Sequence, residues 1–209
     1  METIKAVLFD YGMVLSGPPD PAAREEMKRI LEVDDAKFHE IYWKHRDDYD
    51  RGTLKSVAYW EQVAHDLHRT LDAKKLSALT AADSALWTRP NQTMIDWAAA
   101  LQQAGVKTGV LSNIGDAMEA GIVARFPWIG DFTHRTFSHR LGMAKPDAAI
   151  YLHAAEGLGS APEEILFIDD REENIAAARA VGMHAIQYID HTDFQQQMKA
   201  AEFGGIIAP

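Results

Sequence analysis

Acidic and hydroxyl side chains directly follow short apolar runs at three places in the sequence. Asp10 ends the first run, Ser112 ends a later one, and the pair Asp169-Asp170 ends another. A carboxylate at the end of a buried strand can attack an electrophile such as phosphorus, forming a covalent intermediate that water then hydrolyses. Asp10 is therefore our candidate nucleophile.

Phosphate binding is predicted at Ser112, Asn113 and Lys145. Ser112 and Asn113 lie between a predicted strand and a predicted helix, where a hydroxyl and the free N–H groups of the helix start can hold phosphate oxygens. Lys145 would supply the positive charge that stabilises both the nucleophile and the transferring phosphoryl group. We expect Ser112 and Lys145 to act in catalysis as well as in substrate binding.

A metal ion is predicted beside the nucleophile. Asp10 and Asp170 would offer two hard oxygen ligands of the kind that Mg2+ prefers, together with a phosphate oxygen and water. Each polar residue named so far also has an ordinary structural explanation, as a turn former, a helix cap or a solvated surface side chain. Their occurrence in one order at the ends of successive predicted strands favours the functional interpretation.

Short apolar runs containing β-branched residues predict the strands that place these side chains. The predicted strands span residues 4–9, 106–111, 165–168 and 183–189. Helices are predicted at residues 93–103, 116–126, 147–157 and 172–181. This alternation predicts an α/β fold with a doubly wound parallel sheet, in which ligands bind beyond the carboxyl ends of the strands.

A different region interrupts the alternation after the first strand. Segments rich in residues that stop regular structure open and close it, at 16–21 and 88–91. Apolar residues at helical spacing predict four helices there, at 23–31, 36–49, 54–67 and 73–87. Their expected N-caps are Asp20, Asp34, Thr53 and Asp72. We predict a catalytic core formed by residues 1–15 and 90–209, with an inserted helical-bundle cap formed by residues 16–89.

The composition limits the partners that the chain is expected to bind. The 21 Lys and Arg residues against 31 Asp and Glu residues give a formal net charge of −10. Such a charge repels a nucleic-acid backbone and an anionic membrane surface, so we expect neither partner. Cysteine is absent, which excludes disulfides and a cysteine nucleophile. Without a long apolar stretch or a leader-like segment, we expect a cytoplasmic protein that acts on a small-molecule phosphate.

Four segments of the chain occur in the order of four known sequence motifs. They are 8–15 (LFDYGMVL), 110–113 (VLSN), 145–151 (KPDAAIY) and 167–174 (FIDDREEN). Over nearly the whole chain, this pattern resembles the haloacid dehalogenase superfamily, in the group that carries its cap after the first motif. The resemblance implies a Rossmann-like core, a cap that closes over the substrate, and Mg2+ as cofactor.

The same resemblance assigns roles to individual residues. It implies that Asp10 is the nucleophile, and that the Asp170 side chain and the Gly12 carbonyl bind Mg2+. It also implies that Asp169 and Asn174 support the metal from nearby. The implied activity is hydrolysis of a small-molecule phosphate monoester through a phospho-aspartate, with sugar phosphates as one candidate substrate class.

The chain departs from the usual phosphatase pattern at Gly12. Most phosphatases of the superfamily carry there a second Asp that acts as general acid and base. Three explanations stay open: a leaving group that needs little help, an acid supplied by the cap or the substrate, and lost activity. A subgroup that includes α-D-glucose-1-phosphatase also has glycine there, and the phosphatase domain of bifunctional epoxide hydrolases is similar elsewhere in the chain.

Two other functions remain as alternatives. A 2-haloacid dehalogenase needs no proton for its halide, but such enzymes carry tyrosine and threonine where this chain has Gly12 and Val14. They also use no metal, which leaves the pair Asp169-Asp170 unexplained. The second alternative is a catalytically idle binding protein that keeps the fold, because a fold alone does not establish an activity.

Overall fold

A five-stranded parallel sheet forms the centre of the computed structural model, which describes residues 3–209. The strands are β1 (Ala6–Phe9), β2 (Lys107–Ser112), β3 (His134–Phe137), β4 (Ile165–Asp169) and β5 (His184–Gln187). Their spatial order is β3-β2-β1-β4-β5, so the chain winds outward from β1 in both directions. The predicted doubly wound parallel sheet is confirmed. The first two residues of the predicted core segment 1–15 lie outside the described range.

Five helices lie in the segment between Ser16 and Pro90, which follows β1 along the chain. They are α1 (Pro21–Leu31), α2 (Asp35–Lys44), α3 (Arg46–Asp50), α4 (Ser56–Asp66) and α5 (Ala73–Leu86). Their buried side chains, among them Met27, Trp60 and Leu79, form an apolar cluster of their own. The chain enters and leaves this region at one place, where Ser16 and Pro90 form an antiparallel bridge. That residues 16–89 act as a substrate cap stays a prediction.

The remaining helices surround the sheet. They are α6 (Gln92–Gln103), α7 (Asp116–Arg125), α8 (Ser138–Leu141), α9 (Ala148–Leu158), α10 (Glu172–Ala180) and α11 (His191–Ala201). Val7 and Phe9 of β1 pack in one apolar cluster with α6, α7 and α11, whereas Ala6 and Leu8 pack in another with α9 and α10. Burial on both faces explains why β1 is an unbroken apolar run. No helix within residues 3–209 has the length and apolar character to cross a membrane.

The structure corrects several local predictions. Neither β3 nor α11 is predicted from the sequence, and the predicted helix 36–49 is two helices, because His45 between α2 and α3 has φ −114° and ψ 12°. Thr53 does not cap α4, which begins later; its hydroxyl instead donates to the Asp48 carbonyl. The three predicted aspartate caps do accept hydrogen bonds from the first turns of their helices: Asp20, Asp34 and Asp72.

Candidate active site

Asp10 lies immediately after the central strand β1, at the carboxyl edge of the sheet. Its amide donates to the carbonyl of Ile168 (2.8 Å), which extends the β1–β4 pairing by one residue. The residue is 7% exposed, and its Oδ1 accepts a hydrogen bond from the Tyr11 amide (2.7 Å). The turn that follows β1 therefore orients the carboxylate of the predicted nucleophile.

The Lys145 ammonium joins two carboxylates of the site. Its Nζ lies 2.8 Å from Asp10 Oδ1 and 2.6 Å from Asp169 Oδ2. Burial by itself lowers the pKa of Lys145, but attraction from the two carboxylates outweighs burial and raises the pKa above its usual value. Lys145 is therefore a stable positive charge beside the candidate nucleophile.

The Asn113 side chain holds the backbone of Lys145. Its amide group donates to the Lys145 carbonyl (2.9 Å), and its carbonyl oxygen accepts from the Lys145 amide (2.8 Å). Ser112 is the last residue of β2, is 4% exposed and lies on a strand that pairs with β1. The Asn113 side chain is thus engaged in positioning, while phosphate binding by Ser112 and by the backbone of this loop stays a prediction.

Asp169 is fully buried, and its neighbours use both of its oxygens. Oδ1 accepts from the Arg171 amide (2.9 Å) and from Asn174 Nδ2 (2.9 Å), and Oδ2 accepts from Asn174 Nδ2 (3.1 Å) and from Lys145. A carboxylate engaged in this way is better suited to fix its neighbours than to bind an ion directly. That Asp169 and Asn174 support a metal ion from nearby stays a prediction.

Asp170 completes a group of three carboxylates. One oxygen from each of Asp10, Asp169 and Asp170 lies within 4.8 Å of the others. Burial, and then the charge of Asp169, raises the pKa of Asp170. Burial likewise raises the pKa of Asp10 to about 7; attraction by Lys145 opposes the rise, and repulsion from Asp169 and Asp170 adds to it. The attraction of Lys145 therefore does not fully offset burial and the repulsion among these carboxylates.

The donor set of this group fits a divalent cation. Lys145 supplies a single positive charge for three carboxylates. A bound cation would offset the remaining negative charge. Because Asp169 is already engaged, Asp10 and Asp170 are the carboxylates that would hold the ion. Gly12, whose carbonyl is the third predicted ligand, lies two residues beyond Asp10 in the turn over Tyr11–Leu15.

An aromatic residue beside the nucleophile was missed by sequence reasoning. The Tyr11 hydroxyl donates to the carbonyl of Trp87 (2.7 Å), the residue after α5. A Cβ built on Gly12 would lie 3.7 Å from Cζ3 of the same tryptophan. No local pattern signals this contact, because Trp87 reaches the turn only when α5 brings the chain back to the core.

Comparison with known proteins places the chain among characterised hydrolases. A family model described as haloacid dehalogenase-like hydrolase matches residues 4–182. The enolase-phosphatase E1 of Serratia proteamaculans is 30% identical, covering 85% of this chain and 82% of that protein. The sesquiterpene phosphatase astK of Aspergillus oryzae is 26% identical, covering 90% and 91%. A solved structure of a HAD family enzyme from Bacteroides thetaiotaomicron, in complex with magnesium and inorganic phosphate, has a TM-score of 0.75 at 22% identity, covering 91% and 98%.

These similarities extend over the sheet and over the helices inserted in it. The residues matched by the family model include Asp10, Ser112, Lys145 and Asp170, together with α1 to α5 between the first two. The structural similarity supports the same fold independently of the sequence. The chain therefore belongs to the haloacid dehalogenase-like hydrolase family.

Proposed function

We propose that the chain is a Mg2+-dependent phosphatase that hydrolyses a small-molecule phosphate monoester through a phospho-aspartate at Asp10. The observation that carries the proposal is the position of Asp10, which contacts the buried Lys145 ammonium within a group of three carboxylates. A carboxylate nucleophile needs both an orienting partner and positive charge to receive a phosphate dianion. The names of two relatives, both phosphatases, support the proposal.

Asp10 would form the bond to phosphorus, and the ester oxygen would depart on the opposite side, because attacking and leaving oxygens lie in line. Lys145 stays protonated and stabilises the negative charge of the carboxylate and of the phosphoryl oxygens. Ser112 would donate its hydroxyl hydrogen to a phosphoryl oxygen, beside backbone amides of the following loop. Water then attacks the aspartyl phosphate, which releases phosphate and restores Asp10.

Asp10, Asp170 and the Gly12 carbonyl would hold Mg2+, which when bound offsets the negative charge of the carboxylates and of the substrate phosphate. Asp169 and Asn174 would keep their supporting places, with Asn174 donating to both oxygens of Asp169. The Bacteroides thetaiotaomicron enzyme of the same fold binds magnesium together with phosphate, which supports this assignment.

The helices α1 to α5 would form the cap, residues 16–89, over a core of residues 1–15 and 90–209. Three contacts across the proposed boundary would hold the cap against the core. The Ser138 hydroxyl donates to the Asp50 carbonyl, and the Ser56 amide donates to the Asp116 carboxylate (3.1 Å). Arg51 also pairs with Asp147, two residues after Lys145. A docked cap would exclude water from the reacting phosphate.

Measurement of phosphate release with and without Mg2+ tests the proposal. The panel contains a sugar phosphate, the class that the resemblance implies, together with aryl, acyl and alkyl phosphates. We expect Mg2+-dependent release, which Asp10→Asn lowers by ~10³-fold or more because the nucleophile is lost. Asp96→Asn makes the same chemical change on the exposed face of α6 and is the matched control.

Three outcomes would contradict the proposal. Release of chloride from 2-chloropropionate without Mg2+ would identify a dehalogenase. Failure to turn over either class of substrate, with the protein folded, would identify a binding protein that keeps the fold. Retention of more than a few per cent of the rate by Asp10→Asn would remove Asp10 from the mechanism.

A further inference from the structure

The Trp87 side chain occupies the space beside the turn that follows the nucleophile. Gly12 in that turn has φ −63° and ψ 133°, a backbone conformation that any residue adopts. Apart from the residues of the turn itself, the described atoms within 4 Å of a Cβ built on Gly12 are Cζ3 (3.7 Å) and Cε3 (4.0 Å) of Trp87. Trp87 therefore bounds the space into which a side chain at residue 12 would project.

Contacts on two sides fix the position of Trp87. The hydroxyl of Tyr11, a residue that is 3% exposed, donates to the Trp87 carbonyl (2.7 Å). The partly buried Trp87 side chain packs against the apolar cluster of the sheet and also against the cluster of α1 to α5. The indole is thus held at the junction of the two regions, next to the residues that follow Asp10.

The direction of attack places the leaving group on this side of the site. Asp10 follows β1 at the carboxyl edge of the sheet, where α3 and α4 contact the helices that follow β3 and β2, so in-line displacement would send the ester oxygen away from the sheet and toward α1 to α5. Trp87 directly follows α5 and contacts the turn that begins immediately after Asp10. A group attached to the ester oxygen would therefore meet the Trp87 side chain.

The part of Trp87 that faces the turn offers only carbon. Cζ3 and Cε3 belong to the six-membered ring, whereas the indole N–H belongs to the five-membered ring. This edge supplies neither a proton for the leaving oxygen nor a hydrogen bond for a hydroxyl group. A polyhydroxylated group placed there would lose hydrogen bonds to water, while an apolar group would bury its surface.

We propose that Trp87 is a specificity-determining residue, and that it selects phosphate esters whose ester oxygen carries an apolar carbon group, aromatic groups above all. The inference rests on the proposed phosphatase function and narrows its substrate class. Because Gly12 has no side chain, nothing at residue 12 covers Cζ3 and Cε3 of the indole, which stay available for such a group to pack against. Aromatic groups are favoured because an aromatic ring packs on the indole with a preferred geometry.

Binding by a protein that does not turn over substrate tests the inference independently of catalysis. In Asp10→Asn with Mg2+, calorimetry would give the Kd values of benzyl phosphate, glycerol 1-phosphate and inorganic phosphate. We expect benzyl phosphate to bind about tenfold more tightly than glycerol 1-phosphate. Adding Trp87→Ala should remove that preference and leave the Kd of inorganic phosphate within about twofold, because phosphate carries no leaving group.

Turnover by the enzyme with Asp10 intact supplies the second readout. Benzyl and glycerol phosphates are both alkyl esters, so the ratio of their kcat/KM values reports the leaving-group site. We expect Trp87→Ala to lower that ratio about tenfold and Trp87→Phe to preserve most of it. A general loosening of the cap would lower both kcat/KM values and leave their ratio unchanged. Trp43→Ala, which removes a 49% exposed tryptophan from α2, is the matched control.

The outcomes separate this inference from the proposed function. Equal binding of the two esters, or a preference that survives Trp87→Ala, overturns the role of Trp87 even if phosphatase activity is found. A Trp87-dependent binding preference in a protein that hydrolyses no ester supports the inference and rejects the catalytic proposal. Cyclohexylmethyl phosphate in place of benzyl phosphate shows whether selection is for aromatic groups or for apolar groups in general.

Discussion

Two regions of the molecule bury charged side chains, and they do so differently. At the sheet edge, Lys145 contacts two carboxylates of a group of three. Among α1 to α5, Arg46 is 5% exposed and donates to Asp50 (3.0 Å) and Asp83 (3.1 Å). Aromatic rings surround its guanidinium, with centroids 4.9 to 5.9 Å from Cζ: Tyr42, Tyr49 and Tyr59.

The two regions differ in how completely their charges are satisfied. Arg46 Nη1 also donates to the Tyr42 hydroxyl (2.6 Å), which in turn donates to Asp83 (2.7 Å), so this network is closed without a ligand. At the sheet edge, burial above all raises the pKa of Asp10 to about 7, and the attraction of the single ammonium does not offset burial together with the repulsion of Asp169 and Asp170. A buried network in which each charge has a partner stabilises one arrangement of the chain. A buried group with excess negative charge can instead bind a cation.

The largest expected loss of stability follows from removing Arg46 from its buried network among α1 to α5. Arg46→Met would leave Asp50 and Asp83 buried without their cation, and we expect the free energy of unfolding to fall by ~3–5 kcal/mol. Urea unfolding measures this loss. Arg29→Met, at a side chain that is 71% exposed and pairs with Glu26, should cost far less, because solvent screens that pair. A similar, small cost for both variants would mean that the Arg46 network contributes no more than a surface pair.

The second largest expected effect on stability comes from Mg2+ binding at the three carboxylates of the sheet edge. Mg2+ at about 100 times its Kd should raise the free energy of unfolding by ~2.7 kcal/mol, because it binds the folded state. Asp170→Asn should abolish most of that gain, since one of two carboxylate ligands disappears. Glu172→Gln, an exposed change two residues away, should preserve the gain. An unchanged response to Mg2+ in Asp170→Asn would place the ion elsewhere.

In the metal-free protein, the free energy of unfolding should depend on pH through the ionisation of Asp10. Because folding raises its pKa from 3.8 to about 7, folded Asp10 retains a proton that unfolded Asp10 has lost, so its contribution to stability declines as pH rises through this range. Wild type in chelator should lose stability from pH 5 to pH 7.5 by at least ~1.4 kcal/mol more than Asp10→Asn, the equivalent of one pKa unit. Parallel stability curves for the two proteins would show that Asp10 is ionised throughout.

The smallest expected effect concerns the ion pair between α3 and the loop after Lys145. Arg51 and Asp147 are partly exposed, with side-chain exposures of 26% and 45%, so solvent screens their attraction. A double-mutant cycle of Arg51→Ala and Asp147→Ala should give a coupling free energy of ~0.2–1 kcal/mol. A coupling above about 2 kcal/mol would show that this contact behaves like the buried charge pairs instead.

Residues at strand ends could be predicted because the pattern is local. β1 and β4 are buried apolar runs, and Asp10 and Asp169 each mark the point where such a run ends. Parallel strands bring these ends to one edge, so their proximity follows from the fold class. By contrast, β3 escapes prediction because it is a short edge strand that begins with two polar residues, His134 and Arg135.

Contacts between distant segments could not be predicted from the sequence. The reciprocal hydrogen bonds of Asn113 and Lys145 depend on the loops after β2 and α8 meeting at the sheet edge. The contact of Trp87 with Tyr11 depends on how α5 returns to the core. His45, at the break between α2 and α3, contacts Asp66 of α4 (2.7 Å), a residue 21 positions away. None of these follows from periodicity or residue type alone.

The pairing of the chain where it leaves and re-enters the core bears on how new specificities arise. Beside the bridge between Ser16 and Pro90, the Asn91 amide donates to the Leu15 carbonyl (2.9 Å) and the Gly17 amide to the Arg89 carbonyl (2.6 Å). The core therefore meets the inserted segment as a closed loop, whose entropic cost grows only with the logarithm of its length. Insertions of different size and helix content can be exchanged at this point by recombination. A chimaera made in this way would keep the charged residues at the sheet edge and would acquire different side chains to face the leaving group.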